Sequence, residues 1–98
     1  MRSPRELAGN PESWPGGTVA EPGAEAVRQI SARLADAIAE REWSLRQAAA
    51  ASGVNRQAIA NLLAGASWPD VATVARLGAA LGVGLWPDGN RTDRTLEH

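Results

Sequence analysis

The stretch from Ser44 to Gly65 constrains this chain more than any other. It holds two apolar-patterned segments of eight or nine residues with a three-residue break between them. Isolated helices shorter than about 12–15 residues are marginal in water. Both segments carry helix signals, so they must cross closely and share one core. Ser44 caps a helix from Leu45, and Gln47 completes a capping box. Gly53 tolerates the left-handed conformation that ends a helix. Asn55 caps a second helix over 56–64, and Gly65 closes it. Close crossing needs small side chains, which Ala48, Ala49 and Ala58 supply. Val54, Ile59 and Leu62 are placed to point inward and lock the second helix across the first.

The flanks follow the same logic. Over 24–43, Val27, Ile30, Leu34, Ala37 and Ile38 recur at helical spacing, with Arg28, Gln29, Arg33, Asp36 and Glu40 on the other side. Pro69-Asp70 breaks and restarts the chain. Val71, Val74, Leu77 and Leu81 then form an apolar stripe that ends at Gly82. Val83, Leu85 and Trp86 read as an extended segment folding back on the core, and Pro87 stops it. Residues 1–23 are broken by Pro4, Pro11, Pro15-Gly16-Gly17 and Pro22-Gly23, so they form an irregular arm. Within it, Ser3-Pro4-Arg5-Glu6 predicts one capped turn ending near Gly9, and Trp14 is expected to dock on the core or on a second chain. The expected organisation is an arm over 1–23, a helical domain over 24–87 and a polar tail over 88–98. The last residues, Leu96-Glu97-His98, read as the start of a cloning scar.

Composition excludes several chemistries. The chain of 98 residues has no cysteine, and its one histidine is His98. A thiolate metal site, a disulfide framework and a His-based catalytic triad therefore find no residues, and no metal or cofactor is expected. Asp36, Glu40 and Glu42 share a helix but have no nucleophile beside them, so an enzyme is not expected. No apolar run approaches the roughly 18 residues of a membrane span, and no signal segment opens the chain. A cytoplasmic protein is the default. All ten cations are Arg, and the net charge is −1. Between Ser44 and Trp68, however, stand Arg46 and Arg56 and no acid. A locally acid-free window in a globally acidic chain points to one local anionic contact.

Two short helices crossing over a tight turn are the specification of a helix-turn-helix. The chain resembles the Cro/C1-type (XRE-like) helix-turn-helix domains from about residue 27 to Trp86. The resemblance rests on Trp43-Ser44-Leu45-Arg46-Gln47-Ala48-Ala49, Gly53-Val54-Asn55-Arg56-Gln57-Ala58-Ile59, Leu62, Gly65, Pro69-Asp70 and Leu77-Gly78-Ala79-Ala80-Leu81-Gly82-Val83. It implies an all-α fold, a four-to-five-helix bundle of the lambda-repressor-like type with an irregular N-terminal arm. It implies a sequence-specific regulator of transcription that binds double-stranded DNA and lays the helix over 56–64 in the major groove. Carried onto this chain, base contacts fall on Arg56, Gln57 and Asn61. Phosphate contacts fall on Ser44, Arg46 and Asn55, at or near two helix N-termini whose dipoles favour anions.

The chain departs from that family in three places. Ile38 and Leu63 stand where some phage repressors bury an Arg–Glu pair. The loop after the recognition helix, Ala66-Ser67-Trp68-Pro69, carries no charge. A fifth dimerising helix after the fourth is expected to be absent or replaced. Trp43 and Trp68 are expected in the core rather than as stacking platforms for single strands. The uncharged loop weakens a monomer on DNA, so a homodimer is expected, with the arm or the 83–87 segment packed against a two-fold mate. The other reading is a protein-interaction or antitoxin-like adaptor on the same fold, with a protein partner bound through the arm.

Overall fold

Glu21 opens the first long helix. Its Oε1 accepts the Ala24 N–H at 2.6 Å, and Pro22 takes the first helical position, where no N–H is needed. In the computed structural model, which describes residues 2–87, α1 therefore runs Pro22–Arg41. It ends two residues before the predicted boundary because Glu42 adopts a left-handed conformation, φ 57°. Glu42 and Trp43 donate their N–H groups back to Ala39 and Ile38. Only Gly usually takes that conformation without strain, so nothing in the sequence marks the stop. The turn brings Trp43 under the Arg41 guanidinium, 5.4 Å from the ring centre.

The next three helices are α2 (Leu45–Ser52), α3 (Arg56–Ala64) and α4 (Val71–Leu81). Each begins on a capping side chain, Ser44, Asn55 or Asp70, and each ends on a left-handed glycine, Gly53, Gly65 or Gly82. The described residues hold four α-helices, two 3₁₀ turns and no strand. α2 packs on α3 and α4, and α1 spans α3 and α4 from the other side.

The core fills as patterned. Leu34, Ile59, Leu62, Val74, Leu77, Leu81 and Leu85 are buried, and Ala48 sits buried where α2 meets its neighbours. Ala49, Ala58, Trp43 and Trp68 are half-buried against this cluster. Two expectations fail in detail. Val71 is 71% exposed. It occupies the first position of α4, where the side chain tilts past the helix end rather than onto the stripe. Trp86 is 45% exposed while Leu85 is buried. Successive side chains of a non-helical segment point opposite ways, so only one of the two can face the core. The segment is held by Arg33, which donates to the Trp86 carbonyl, and Arg41 donates to the Leu81 carbonyl at the end of α4. The polar tail predicted over 88–98, with Leu96-Glu97-His98, lies outside the described residues.

The arm contains two 3₁₀ turns, Arg5–Leu7 and Pro11–Ser13. The first forms the predicted capped turn: the Glu6 N–H donates to Ser3 Oγ at 3.3 Å, and the Ser3 N–H donates to Glu6 Oε1 at 2.8 Å. The arm is tied to α1 through Glu25. Its two oxygens accept from the Val19 N–H, from Arg28 Nε and Nη2, and from Gln29 Nε2 at 2.8–3.0 Å. Arg28 Nη1 donates onward to the Pro15 carbonyl at 2.9 Å. Arg28, expected on a solvated face, is thus half-buried in a network.

The Arg28 hydrogen bonds hold the Glu25 carboxyl down at about 2. Partial burial opposes them, and Gln29 and the Val19 N–H reinforce them. The folded value lies below the ordinary 4.5, so this contribution to stability is present above pH 4.5 and is lost as pH falls towards 2. Thermal melts of wild type and Glu25→Gln should differ at neutral pH and converge across that window. A constant difference at every pH would show that the carboxylate charge is not what ties the arm down.

Candidate nucleic-acid interface

The local chemistry of two helix starts builds this surface. At α2, Ser44 Oγ accepts the Gln47 N–H at 3.1 Å, and Gln47 Oε1 accepts the Ser44 N–H at 2.7 Å. The N–H groups of Leu45 and Arg46 lie in the first turn, beyond the reach of any helical carbonyl. At α3, Asn55 Oδ1 accepts from Gln57 and Ala58 at 2.7 and 3.2 Å, which leaves the Arg56 N–H for an outside acceptor. The crossing brings these two starts together. Ser44, Leu45, Arg46 and Arg56 line one open concavity of about 550 Å³.

Arg46 and Arg56 are both exposed. Among the described residues the one ion pair is Glu25–Arg28, so neither of them is neutralised by a carboxylate. Two guanidinium groups and two positive dipole ends thus share a surface with no acid between Ser44 and Trp68. Gln57 and Asn61 lie one turn apart on α3, joined by Gln57 Nε2 donating to Asn61 Oδ1 at 3.0 Å. The six residues singled out from the sequence fall into two groups. Ser44, Arg46 and Arg56 line the concavity, while Gln57 and Asn61 continue along α3 and Asn55 caps it.

The opposite end of α3 is clamped by Trp14, which was expected to dock on the core or on a second chain, and by Ser31 and Arg5, which sequence reasoning missed. The Gly65 and Ala66 N–H groups return to Leu62 and Asn61 at 3.1 and 2.9 Å. Ser31 of α1, fully buried, donates its hydroxyl to the Leu62 carbonyl at 2.6 Å. Trp14 donates its indole N–H to the Leu63 carbonyl at 3.2 Å, and the Arg5 N–H reaches the Gly65 carbonyl at 3.0 Å. Of the two docking places open to Trp14, it takes its own chain. Ser31 had a readable signal, a hydroxyl on the apolar stripe of α1; Arg5 had none.

Two short helices crossed over a tight turn, with the second exposing a polar, acid-free face, define a helix-turn-helix unit, a class of DNA-binding module. A family model described as Helix-turn-helix matches residues 34–85, more than half of the chain. The chain belongs to this Cro/C1-type helix-turn-helix family, a family of DNA-binding regulators. No curated protein and no solved structure matches it. Among the described residues no helix is long and apolar enough to cross a membrane.

Gly65 is where the arm and α3 meet. Its φ is +69°, and a Cβ there would stand 2.7 Å from Trp14 Cζ2 and closer still to Cε2. Gly65→Ala is expected to destabilise the protein by about 1–3 kcal/mol, through backbone strain and displacement of the indole. In a Trp14→Ala background the same change should cost measurably less in denaturant unfolding. Equal costs in both backgrounds would show that the indole does not bear on Gly65.

Proposed function

We propose that this protein is a sequence-specific regulator of transcription that binds double-stranded DNA and reads the major groove with α3. The observation that carries this reading is the acid-free concavity where Ser44, Arg46 and Arg56 converge at the starts of α2 and α3. Phosphate oxygens accept from the Leu45 and Arg46 N–H groups, the Ser44 hydroxyl and the Arg46 guanidinium. Asn55 caps α3 with its oxygen, and its amide N–H is left for a phosphate. Arg56 extends into the groove, where guanine O6 and N7 are its natural partners. With Gln57 Nε2 given to Asn61, the Gln57 oxygen remains an acceptor and Asn61 Nδ2 remains a donor. That pair complements the N6 donor and N7 acceptor of adenine. The absence of cysteine suits work in the reducing cytoplasm.

Arg56→Ala should weaken specific binding by about 1–3 kcal/mol and relax preference at one base pair. Selection from a random DNA pool with both proteins reads this directly. A uniform loss over all sequences would make Arg56 a phosphate contact. A wild type with no salt-dependent affinity for any duplex would overturn the DNA reading and favour the adaptor role.

One such unit covers a half-site, and this one has a single charge on its recognition helix. We therefore place two copies on a two-fold site with half-sites about 34–36 Å apart. Trp14 and Leu85 are engaged within the chain, whereas Val83 and Trp86 remain exposed after α4. This exposed segment is the surface we assign to the mate. Sedimentation at tens of micromolar should give a dimer for wild type and a monomer for Trp86→Ser. A monomeric wild type would remove the two-fold arrangement.

A further inference from the structure

The loop that follows α3 has no cation of its own, yet the structure brings two beside it. Trp68 Nε1 donates to the Arg2 carbonyl at 2.9 Å, and the Arg5 N–H donates to the Gly65 carbonyl at 3.0 Å. Arg2, Ser3, Arg5, Glu6 and Pro11 then line an open concavity of about 480 Å³ with Ala64 and Ala66, at the C-terminal end of α3, so two cations there face one carboxylate. Both tethers use backbone atoms, so the guanidinium groups are not consumed by them. Arg5 Nε donates to the Pro11 carbonyl at 2.9 Å, which orients the group and leaves its Nη donors. Neither arginine pairs with Glu6, whose Oε1 accepts the Ser3 N–H at 2.8 Å.

We infer that Arg2 and Arg5 contact DNA phosphates, and that the arm is a second backbone clamp in place of the missing loop cations. The inference rests on the reading of DNA by α3 and extends it to residues outside the family match at 34–85. α3 spans Arg56–Ala64, a length of about 13 Å at the helical rise. Arg46 and Arg56 line the concavity at the start of α3, and Arg2 and Arg5 line the one at its end, so cations flank the helix at both ends and can meet phosphates on either side of the bases it reads. Guanidinium groups match phosphate oxygens in bidentate geometry. The arm holds its place through the Glu25–Arg28–Pro15 bonds and the Trp14–Leu63 bond, so the clamp is formed before DNA arrives. The competing explanation is that the two cations only offset the negative end of the α3 dipole. That role bears on folding and not on DNA.

The test compares the full chain, R2Q/R5Q and R2K/R5K on a duplex recovered by pool selection and on a mixed-sequence duplex. Gln keeps the aliphatic stem and removes the charge, and the backbone tethers are untouched. Each phosphate contact contributes about 0.9 to the slope of log K against log salt. R2Q/R5Q should lose about 1.8 of that slope, so that a fourfold rise in salt costs on the order of tenfold less affinity than in wild type. Its affinity should fall alike on both duplexes, and the selected sequence should not change. R2K/R5K should keep the wild-type slope. An unchanged slope in R2Q/R5Q, beside salt-dependent wild-type binding, overturns the clamp and leaves α3 reading intact. A lower melting temperature with that unchanged slope assigns the arginines to the helix dipole alone. A wild type without salt-dependent binding overturns the clamp and the DNA reading together.

Discussion

One buried hydrogen bond underlies the placement of the recognition helix. Ser31 is fully buried on α1, and its hydroxyl donates to the Leu62 carbonyl at 2.6 Å. A helix of nine residues cannot hold its own orientation. The Leu62 carbonyl already accepts the Gly65 N–H at the end of the helix, and its second lone pair takes the Ser31 hydroxyl. A hydroxyl buried without a partner costs about 1–3 kcal/mol, so the bond meets the need of Ser31 and sets how α3 lies on α1. The Leu63 and Gly65 carbonyls are met by Trp14 and Arg5 of the arm. The C-terminal end of α3, opposite Arg56 and Gln57, is thus fixed from two directions, which leaves the first turn able to carry exposed polar side chains without losing position.

The arm belongs to the same scheme. It has no long helix, so its backbone groups need partners elsewhere. Glu25 and Arg28 supply several, accepting from Val19 and donating to Pro15. Their ion pair is partly shielded, with side-chain exposures of 22% and 15%. A fully exposed pair contributes little, typically below about 1 kcal/mol. Here the same carboxylate also meets a backbone N–H and Gln29, and that network is why a Pro/Gly-rich segment has a defined path over α1.

How far the sequence carried depended on whether a residue's role was local. The limits of α2, α3 and α4 could be read because Ser44, Asn55, Asp70 and the three closing glycines act on their own neighbours through one or two backbone bonds. The stop of α1 could not, since Glu42 takes a left-handed conformation that its residue type disfavours. Val71 and Trp86 look like core residues by type and spacing. Their exposure depends on where a helix begins and on which way an extended segment starts its alternation. At the candidate site, Ser44, Arg46 and Arg56 were singled out by motif position, and the close crossing of α2 and α3 explains why they line one concavity. The partnership of Arg5 with Gly65, sixty residues apart, has no local trace at all.

Charge placement settles an apparent conflict in this chain. A net charge of −1 and a pI of 5.7 look wrong for a protein whose proposed ligand is a polyanion. Several arginines, however, are engaged internally: Arg28 with Glu25, Arg33 with the Trp86 carbonyl, and Arg41 with the Leu81 carbonyl and the Trp43 ring. They serve the fold. The acids Asp36, Glu40 and Glu42 are exposed along the second half of α1 and the turn after it. None lies on α2 or α3. With a Debye length of about 8–10 Å at physiological salt, a phosphate near α3 responds to the charges beside it and little to the total. On the proposed reading, the acidic half of α1 repels the duplex and the face of Arg46 and Arg56 attracts it. The overall charge then opposes loose, non-specific association, while its distribution selects which face of the protein meets the groove.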